Sequence, residues 1–390
     1  MDVDVEFYGE NVVYRSWDDQ NVSFAIEQPA NSFTGFRKPQ RAAAFAIFSH
    51  LDSDAEVPAI VVMPTGTGKT DTIFAVMIAG RFRRTLIVVP SDALRAQTGD
   101  RLDNLQRLRA INAISDDVLS PIVHRIDGRN AAIDRQAIDA SNVAIATPAA
   151  LAQLNGNELR SFAAQFSHLV FDEAHHVAAM TWDRIRNAFE TKPVICFTAT
   201  PFRLDKQRLS GRIIFNYSLS QAQRDKYFQE INFHPVREYV ASAIDRTIAT
   251  KALELLKIDL EAGFDHILMA RCAKISKANQ VFGLYQELGP EYEPVVIHSK
   301  SGTKEQDLER IRIRHSRIVI CVDMFGEGFD LPELKIAAIH DQHQSPAVTL
   351  QFIGRLTRTN ARLGTAKFVA NVANQRADSP MKRLYEENAD

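Results

Sequence analysis

Lys69 closes the stretch Met63-Pro64-Thr65-Gly66-Thr67-Gly68-Lys69-Thr70, where small, flexible residues precede one ammonium and one hydroxyl. Glycines let such a backbone fold tightly enough to point its N–H groups at phosphate oxygens, at the positive end of a following helix. Thr65, Gly66, Thr67 and Gly68 would form the cradle. Lys69 would neutralise β- and γ-phosphates, and the Thr70 hydroxyl would bind Mg2+. The G-x-x-x-x-G-K-[ST] pattern fails only at its first position, where Met63 stands.

Roughly 100 residues further on comes Leu169-Val170-Phe171-Asp172-Glu173-Ala174-His175-His176. An apolar strand ending in two carboxylates places Asp172 and Glu173 at the carboxyl end of a sheet, where ligands of open α/β folds bind. Asp172 suits the Mg2+ shell, which leaves Glu173 to orient and deprotonate an attacking water. His175 and His176 are neighbours that point apart on a helix, so they do not read as a metal pair.

Other candidate groups have blander readings. His340 and His343 have metal-pair spacing but no Cys or Glu partner nearby, and read as a loop at a strand end. Arg310, Arg312, Arg314 and Arg317 alternate with apolar residues and read as a solvated face rather than a phosphate-tracking edge. Cys196, Cys272 and Cys321 each lie in an apolar stretch and read as buried, reduced thiols.

These groups need a scaffold, and the pattern supplies one. Short, almost wholly apolar runs at Ala59–Met63, Thr85–Val89, Asn142–Ala146, His168–Phe171 and Pro193–Phe197 alternate with helical stretches. That is the signature of parallel strands buried on both faces. The alternation lapses over Gly211–Tyr239, a helix is expected near Ala243–Ala262, and a second set follows. Its runs are His266–Ala270, Pro294–His298, Arg317–Val322, Lys335–Ile339 and Ala366–Ala370. Thr303 and Gln306 fit a capping box opening a charged helix. The fold class is α/β, with an extension at 1–32, domains at 33–240 and 241–378, and a polar tail at 379–390.

Composition bounds the function. Lys+Arg 46 against Asp+Glu 48 gives a net charge of −2, so any polyanion site must be a local groove. No apolar run approaches the ~18 residues that cross a bilayer, and the acidic start Met1-Asp2-Val3-Asp4 lacks a signal-peptide layout. A cytoplasmic protein without membrane partners is expected. The last apolar run ends near Val372, which suggests the core or small subunit of something larger.

Taken in order, the motifs resemble the superfamily 2 helicases and translocases, over roughly residues 36–372. The resemblance implies two tandem RecA-like domains, each a mostly parallel sheet flanked by helices, with ATP in the cleft between them. Phe36-Arg37-Lys38-Pro39-Gln40 resembles the adenine-reading Q element, which implies Arg37 and Gln40 as nucleotide contacts. Val89-Pro90-Ser91-Asp92 and Ala146-Thr147-Pro148-Ala149 resemble segments that touch the nucleic-acid backbone, implicating Pro90, Ser91, Thr147 and Pro148. Thr198-Ala199-Thr200-Pro201 looks like the coupling element, with Thr198 and Thr200. Asp172-Glu173-Ala174-His175 resembles the DEAH box. Asp323–Asp330 resembles the fifth motif, implicating Gly328 and Asp330. Gln351–Arg358 resembles the sixth, in which Gln351, Arg355 and Arg358 serve the γ-phosphate, a guanidinium stabilising charge that hydrolysis leaves on phosphoryl oxygens.

Met63–Thr70, Thr198–Pro201 and Gly211–Leu219 look most like the motor of type III restriction enzymes and related DNA translocases, while His176 departs from DEAH-box RNA helicases. The expected function is a nucleic-acid-stimulated, Mg2+-dependent ATPase acting as a DNA helicase or translocase, DNA being favoured over RNA, with further subunits of a DNA-processing or defence complex as partners. The alternatives are an ATP-dependent clamp that senses nucleic acid without processive movement, or an RNA helicase.

Overall fold

Runs such as Ala59–Val62 and Thr85–Val88 carry no polar side chain facing either way beyond Thr85, and all their residues are buried. Such segments are stable only between helices on both sides of a sheet, and the computed structural model shows that arrangement twice. It describes residues 12–17, 21–27, 34–127, 135–177, 179–199, 209–228, 231–298, 300–322, 331–341 and 364–373. The chain divides into two units, Met1–Ser218 and Leu219–Asp390.

The first unit holds β1 (Ala59–Val62), β2 (Thr85–Val88), β3 (Val123–Arg125), β4 (Val143–Ala146), β5 (His168–Phe171), β6 (Val194–Thr198) and β7 (Arg212–Asn216). Their order is β3-β4-β2-β5-β6-β1-β7, and every pairing is parallel. Helix α1 (Lys38–Asp54) leads into β1, and α2 (Lys69–Ala79) joins β1 to β2. Between β2 and β3 run α3 (Asp92–Asn104) and α4 (Gln106–Ala110). Helices α5 (Pro148–Ala152), α6 (Gly156–Ala163) and α7 (Ala179–Ala188) include Leu151, Phe162 and Trp182, which share a core with Val62, Val88, Ala146 and Phe171.

The second unit holds β8 (Ile231–Val236), β9 (Ile267–Cys272), β10 (Val295–Ile297), β11 (Ile318–Val322), β12 (Leu334–Ile339) and β13 (Ala366–Asn371), again all parallel, in the order β10-β11-β9-β12-β13-β8. Ile248, Ala252 and Leu256 of α8 (Ile244–Glu261) and Val281 of α9 (Ile275–Leu288) pack on Leu268, Ile320 and Ile336.

The compact units meet at Ser218 and Leu219, and β8 belongs to the second. Residues of β8, which the sequence pattern leaves unstructured, form the edge of the second sheet by pairing with β13. Its Pro235 has no N–H to give, which an edge strand tolerates. Likewise β3 and β7 escape a hydrophobicity reading because both are edges with half-buried or exposed residues. The capping box at Thr303 does not form. Helix α10 (Lys304–Arg312) starts there, but the Thr303 hydroxyl donates to Asp307 Oδ2 at 2.6 Å instead.

Arg310 pairs with Glu293, and Arg314 and Arg317 with Asp265, so these arginines are tied to local acids. His340 is buried, with Nδ1 3.1 Å from Asp245 Oδ1 and Nε2 3.2 Å from Tyr285 Oη. All three cysteines are buried, and none is in a disulfide. Among the described residues, no helix is long and apolar enough to cross a membrane.

Candidate active site

The loop between β1 and α2 is shaped by its glycines. Gly66 and Gly68 have φ of 91° and 94°, in the left-handed region that side chains disfavour. The Thr67 hydroxyl donates to the Pro64 carbonyl at 2.6 Å and closes the turn. From outside, Arg37 Nη1 donates to the Gly66 carbonyl at 2.7 Å, and Gln40 Nε2 to the Gly68 carbonyl at 3.2 Å. Gln40 Oε1 accepts from the Arg37 N–H at 3.0 Å, so the two residues clamp the loop together. A Cβ on Gly68 would stand 2.2 Å from Gln40 Nε2. The Thr65 hydroxyl oxygen is buried with no hydrogen-bond partner, as a donor awaiting a ligand oxygen would be.

Two strands away, β5 delivers the carboxylates. Asp172 donates its N–H to the Val88 carbonyl, and its Oδ1 accepts from the Glu173 N–H at 3.0 Å. Glu173 itself has φ of 52°, an uncommon conformation for a non-glycine residue. This turns its side chain onto the loop: Lys69 Nζ stands 2.8 Å from Glu173 Oε1, both side chains being nearly buried. Lys69 Nζ also donates to the Met63 carbonyl at 3.3 Å.

The chain of contacts continues. Glu173 Oε2 lies 3.7 Å from His175 Nδ1, which is 2.9 Å from Thr198 Oγ1 at the end of β6. The Thr198 carbonyl accepts from the Met63 N–H at 2.9 Å. Met63, Lys69, Glu173, His175 and Thr198 therefore form a closed circuit that links three strand ends.

At the same sheet end, the Ser91 side chain accepts from the Leu94 N–H and caps α3, while Thr147 accepts from the Ala150 N–H and caps α5. The Val89 N–H donates to the Ala146 carbonyl, which sets these loops side by side with Pro90 and Pro148 next to the caps.

Residues 34–203 match the family described as type III restriction enzyme, res subunit, and residues 250–360 match the helicase conserved C-terminal domain. The chain belongs to the superfamily 2 helicases. A curated relative, the ATP-dependent helicase IRC3 of Saccharomyces cerevisiae, is 25% identical over 214 residues, 48% of this chain and 31% of that one. The ATP-dependent RNA helicase DBP8 of Gibberella zeae is 22% identical over 339 residues, 78% of this chain and 57% of that one. The chain thus spans less than two thirds of either relative. A fragment assigned as an HsdR subunit of a type I restriction enzyme from Vibrio vulnificus YJ016 shares the fold at TM-score 0.61 and 19% identity, covering 87% of this chain and 64% of that one. The type ISP restriction-modification enzyme LlaBIII, solved bound to DNA, shares it at TM-score 0.61 and 15% identity, covering 94% and 31%. The two units are the tandem RecA-like domains of that fold.

The chemistry of a superfamily 2 helicase core is ATP hydrolysis, and the first unit of this helicase core gathers Gln40, Arg37, Thr65 to Thr70, Asp172, Glu173 and Thr198 around one loop. The second-unit motif residues Gly328, Asp330, Gln351, Arg355 and Arg358 lie outside the described residues, as does Thr200. Sequence reasoning set His175 aside after rejecting a metal role. Its burial and its contact with Thr198 make it part of the site, through the pairing of β5 with β6 that only the fold reveals. Among the described residues, no group of three or more His, Cys, Asp or Glu could hold a metal alone.

Proposed function

We propose that this chain is the motor core of a DNA-dependent ATPase that translocates or unwinds, working within a larger DNA-processing or defence assembly. The observation that carries the reading is the Lys69–Glu173 pair at 2.8 Å, at the mouth of a loop whose geometry suits phosphate. Thr70 and Asp172 supply the hard oxygen donors suited to Mg2+, which when bound would offset charge on the phosphate oxygens. Arg37 and Gln40, already on the loop, hold the base end of ATP. When the Lys69 ammonium turns to phosphate, the Glu173 carboxylate is released to take a proton from water. Ser91 and Thr147 present capped helix ends to the nucleic-acid backbone, and Thr198, through His175, relays the state of Glu173. On the motifs they resemble, we assign Arg355, Arg358 and Gln351 to hydrolysis at the γ-phosphate, and Gly328 and Asp330 to nucleotide binding.

The match to the res subunit family over 34–203 and the fold shared with LlaBIII favour DNA. The DBP8 likeness over 78% of the chain supports RNA as the second reading. The deciding experiment measures ATP turnover with single- and double-stranded DNA and RNA, then triplex displacement under ATP. Stimulation by DNA with displacement is expected. Stimulation by RNA alone would overturn the DNA assignment, and hydrolysis without displacement would make the protein a clamp.

A further inference from the structure

Asp71 follows Lys69 and Thr70 in the first turn of α2, yet its carboxylate does not face the phosphate loop alone. Its Oδ1 lies 2.5 Å from Arg101 Nη2, in the last turn of α3. The same guanidinium sits over the Phe74 ring at 6.0 Å, one turn along α2. Arg101 therefore grips α2 twice.

The grip borders an opening in the surface. An open pocket of about 590 Å³ is lined by Asp71 and Phe74 of α2, Gln97 and Arg101 of α3, and Arg107 and Leu108 of α4. Beside that opening, the Arg101 guanidinium joins α3 to α2 through Asp71 and Phe74. The grip is anchored at its acid end: the Asp71 side chain is 11% exposed, Arg101 39%. Burial holds the Asp71 carboxyl above its ordinary pKa, and the charges of Arg101, Arg107 and Arg37 only partly offset this. Arg37 is the residue that donates to the Gly66 carbonyl, so Asp71 feels the loop from below as well as from the side.

The far end of α3 carries Ser91. A thirteen-residue helix is a rod of about 20 Å, and Leu105 in the left-handed conformation bends the chain sharply after it. We propose that Asp71 and Arg101 are positioning residues that carry nucleotide occupancy of the Lys69 loop along α3 to Ser91, and so couple ATP to nucleic acid inside the first domain. The Ser91 end of this proposal rests on the reading of Ser91 as a nucleic-acid contact. The link from α2 to α3 does not.

Two measurements on the full chain test it, in wild type, Asp71→Asn, Arg101→Gln and Arg101→Lys. The first is amide hydrogen exchange with and without a non-hydrolysable ATP analogue. In wild type and Arg101→Lys, the analogue should protect both the Lys69 loop and the last turn of α3. In Asp71→Asn and Arg101→Gln, protection of the loop should remain and that of α3 should vanish. The second is ATP turnover with and without saturating duplex DNA. Stimulation should fall about tenfold in Asp71→Asn and Arg101→Gln, with unstimulated turnover within about twofold of wild type.

Undiminished protection of α3 in Asp71→Asn overturns the proposal. So does an equal fall in stimulated and unstimulated turnover with a lowered Tm, since that marks a merely structural pair. If no nucleic acid stimulates the wild type, the functional reading fails instead, and the exchange measurement alone decides the tie between α2 and α3.

Discussion

Lys69 Nζ and Glu173 Oε1 stand 2.8 Å apart, with 5% and 12% of their side chains exposed. The cation meant for phosphate and the carboxylate meant for water thus hold each other. Each charge is offset by the other where little water reaches.

Removing one partner should therefore cost more than activity. Lys69→Ala leaves Glu173 buried without its cation, so the unfolding free energy should drop by a few kcal/mol along with turnover. Adding Glu173→Gln to it should restore much of the stability and none of the turnover. Glu173→Gln alone should bind ATP at least as well as wild type, since Lys69 loses a competitor, while turnover falls ~10²–10⁴-fold. Chemical denaturation and nucleotide titration of the three variants read this out. A Lys69→Ala protein as stable as wild type would show that the pair is not formed in solution.

Thr198→Val keeps the shape at the end of β6 and removes the oxygen 2.9 Å from His175 Nδ1. Losing this buried hydrogen bond should cost about 1 kcal/mol of stability. ATP hydrolysis should survive better than strand or triplex displacement, because the contact links the Glu173 segment to β6 rather than holding nucleotide. Equal loss of both activities would remove Thr198 from the coupling role.

Gly68→Ala tests the loop itself. At φ of 94° an alanine is strained by about 1–3 kcal/mol, and its methyl would press on the Gln40 amide. Nucleotide affinity should fall at least tenfold, which isothermal titration would measure. A tight-binding Gly68→Ala protein would mean that the loop adopts another shape around phosphate.

Stability should fall in mild acid because of His168. Stacked on Phe82 at 3.6 Å between ring centroids, it is pushed by burial from 6.5 down to about 4. Between those values the unfolded chain takes up the proton and the folded one does not, so acidification favours unfolding. The contribution is complete above pH 6.5, is lost as pH falls toward 4, and amounts to roughly 3 kcal/mol at most. His168→Phe keeps a ring on Phe82 and should flatten the dependence of unfolding on pH in that window. An unchanged slope would assign it to other groups.

The sequence made the central chemistry legible because it is local. A loop of eight residues and a strand ending in Asp172-Glu173 carry their own flanks, and buried central strands such as Ala59–Val62 announce themselves by composition. Edge strands do not: β8 carries His234 and Pro235 on a half-exposed surface, so its pattern reads as irregular. The capping box failed because Thr303 does not adopt the extended backbone a cap needs, having ψ of 11°. Contacts across the fold stayed hidden, since nothing in periodicity sets Arg101 against Asp71 or His175 against Thr198.

The placement of β8 also bears on how the second domain is born. Its pairing partner is β13, about 130 residues later in the chain, so at ~5–20 residues per second this strand leaves the ribosome roughly ten seconds ahead of its mate. Until then it is a bare ribbon of unpaired N–H and C=O groups, open to any passing strand. Pro235, which weakens the pattern in sequence, removes one of those donors and shields the nascent chain during its wait.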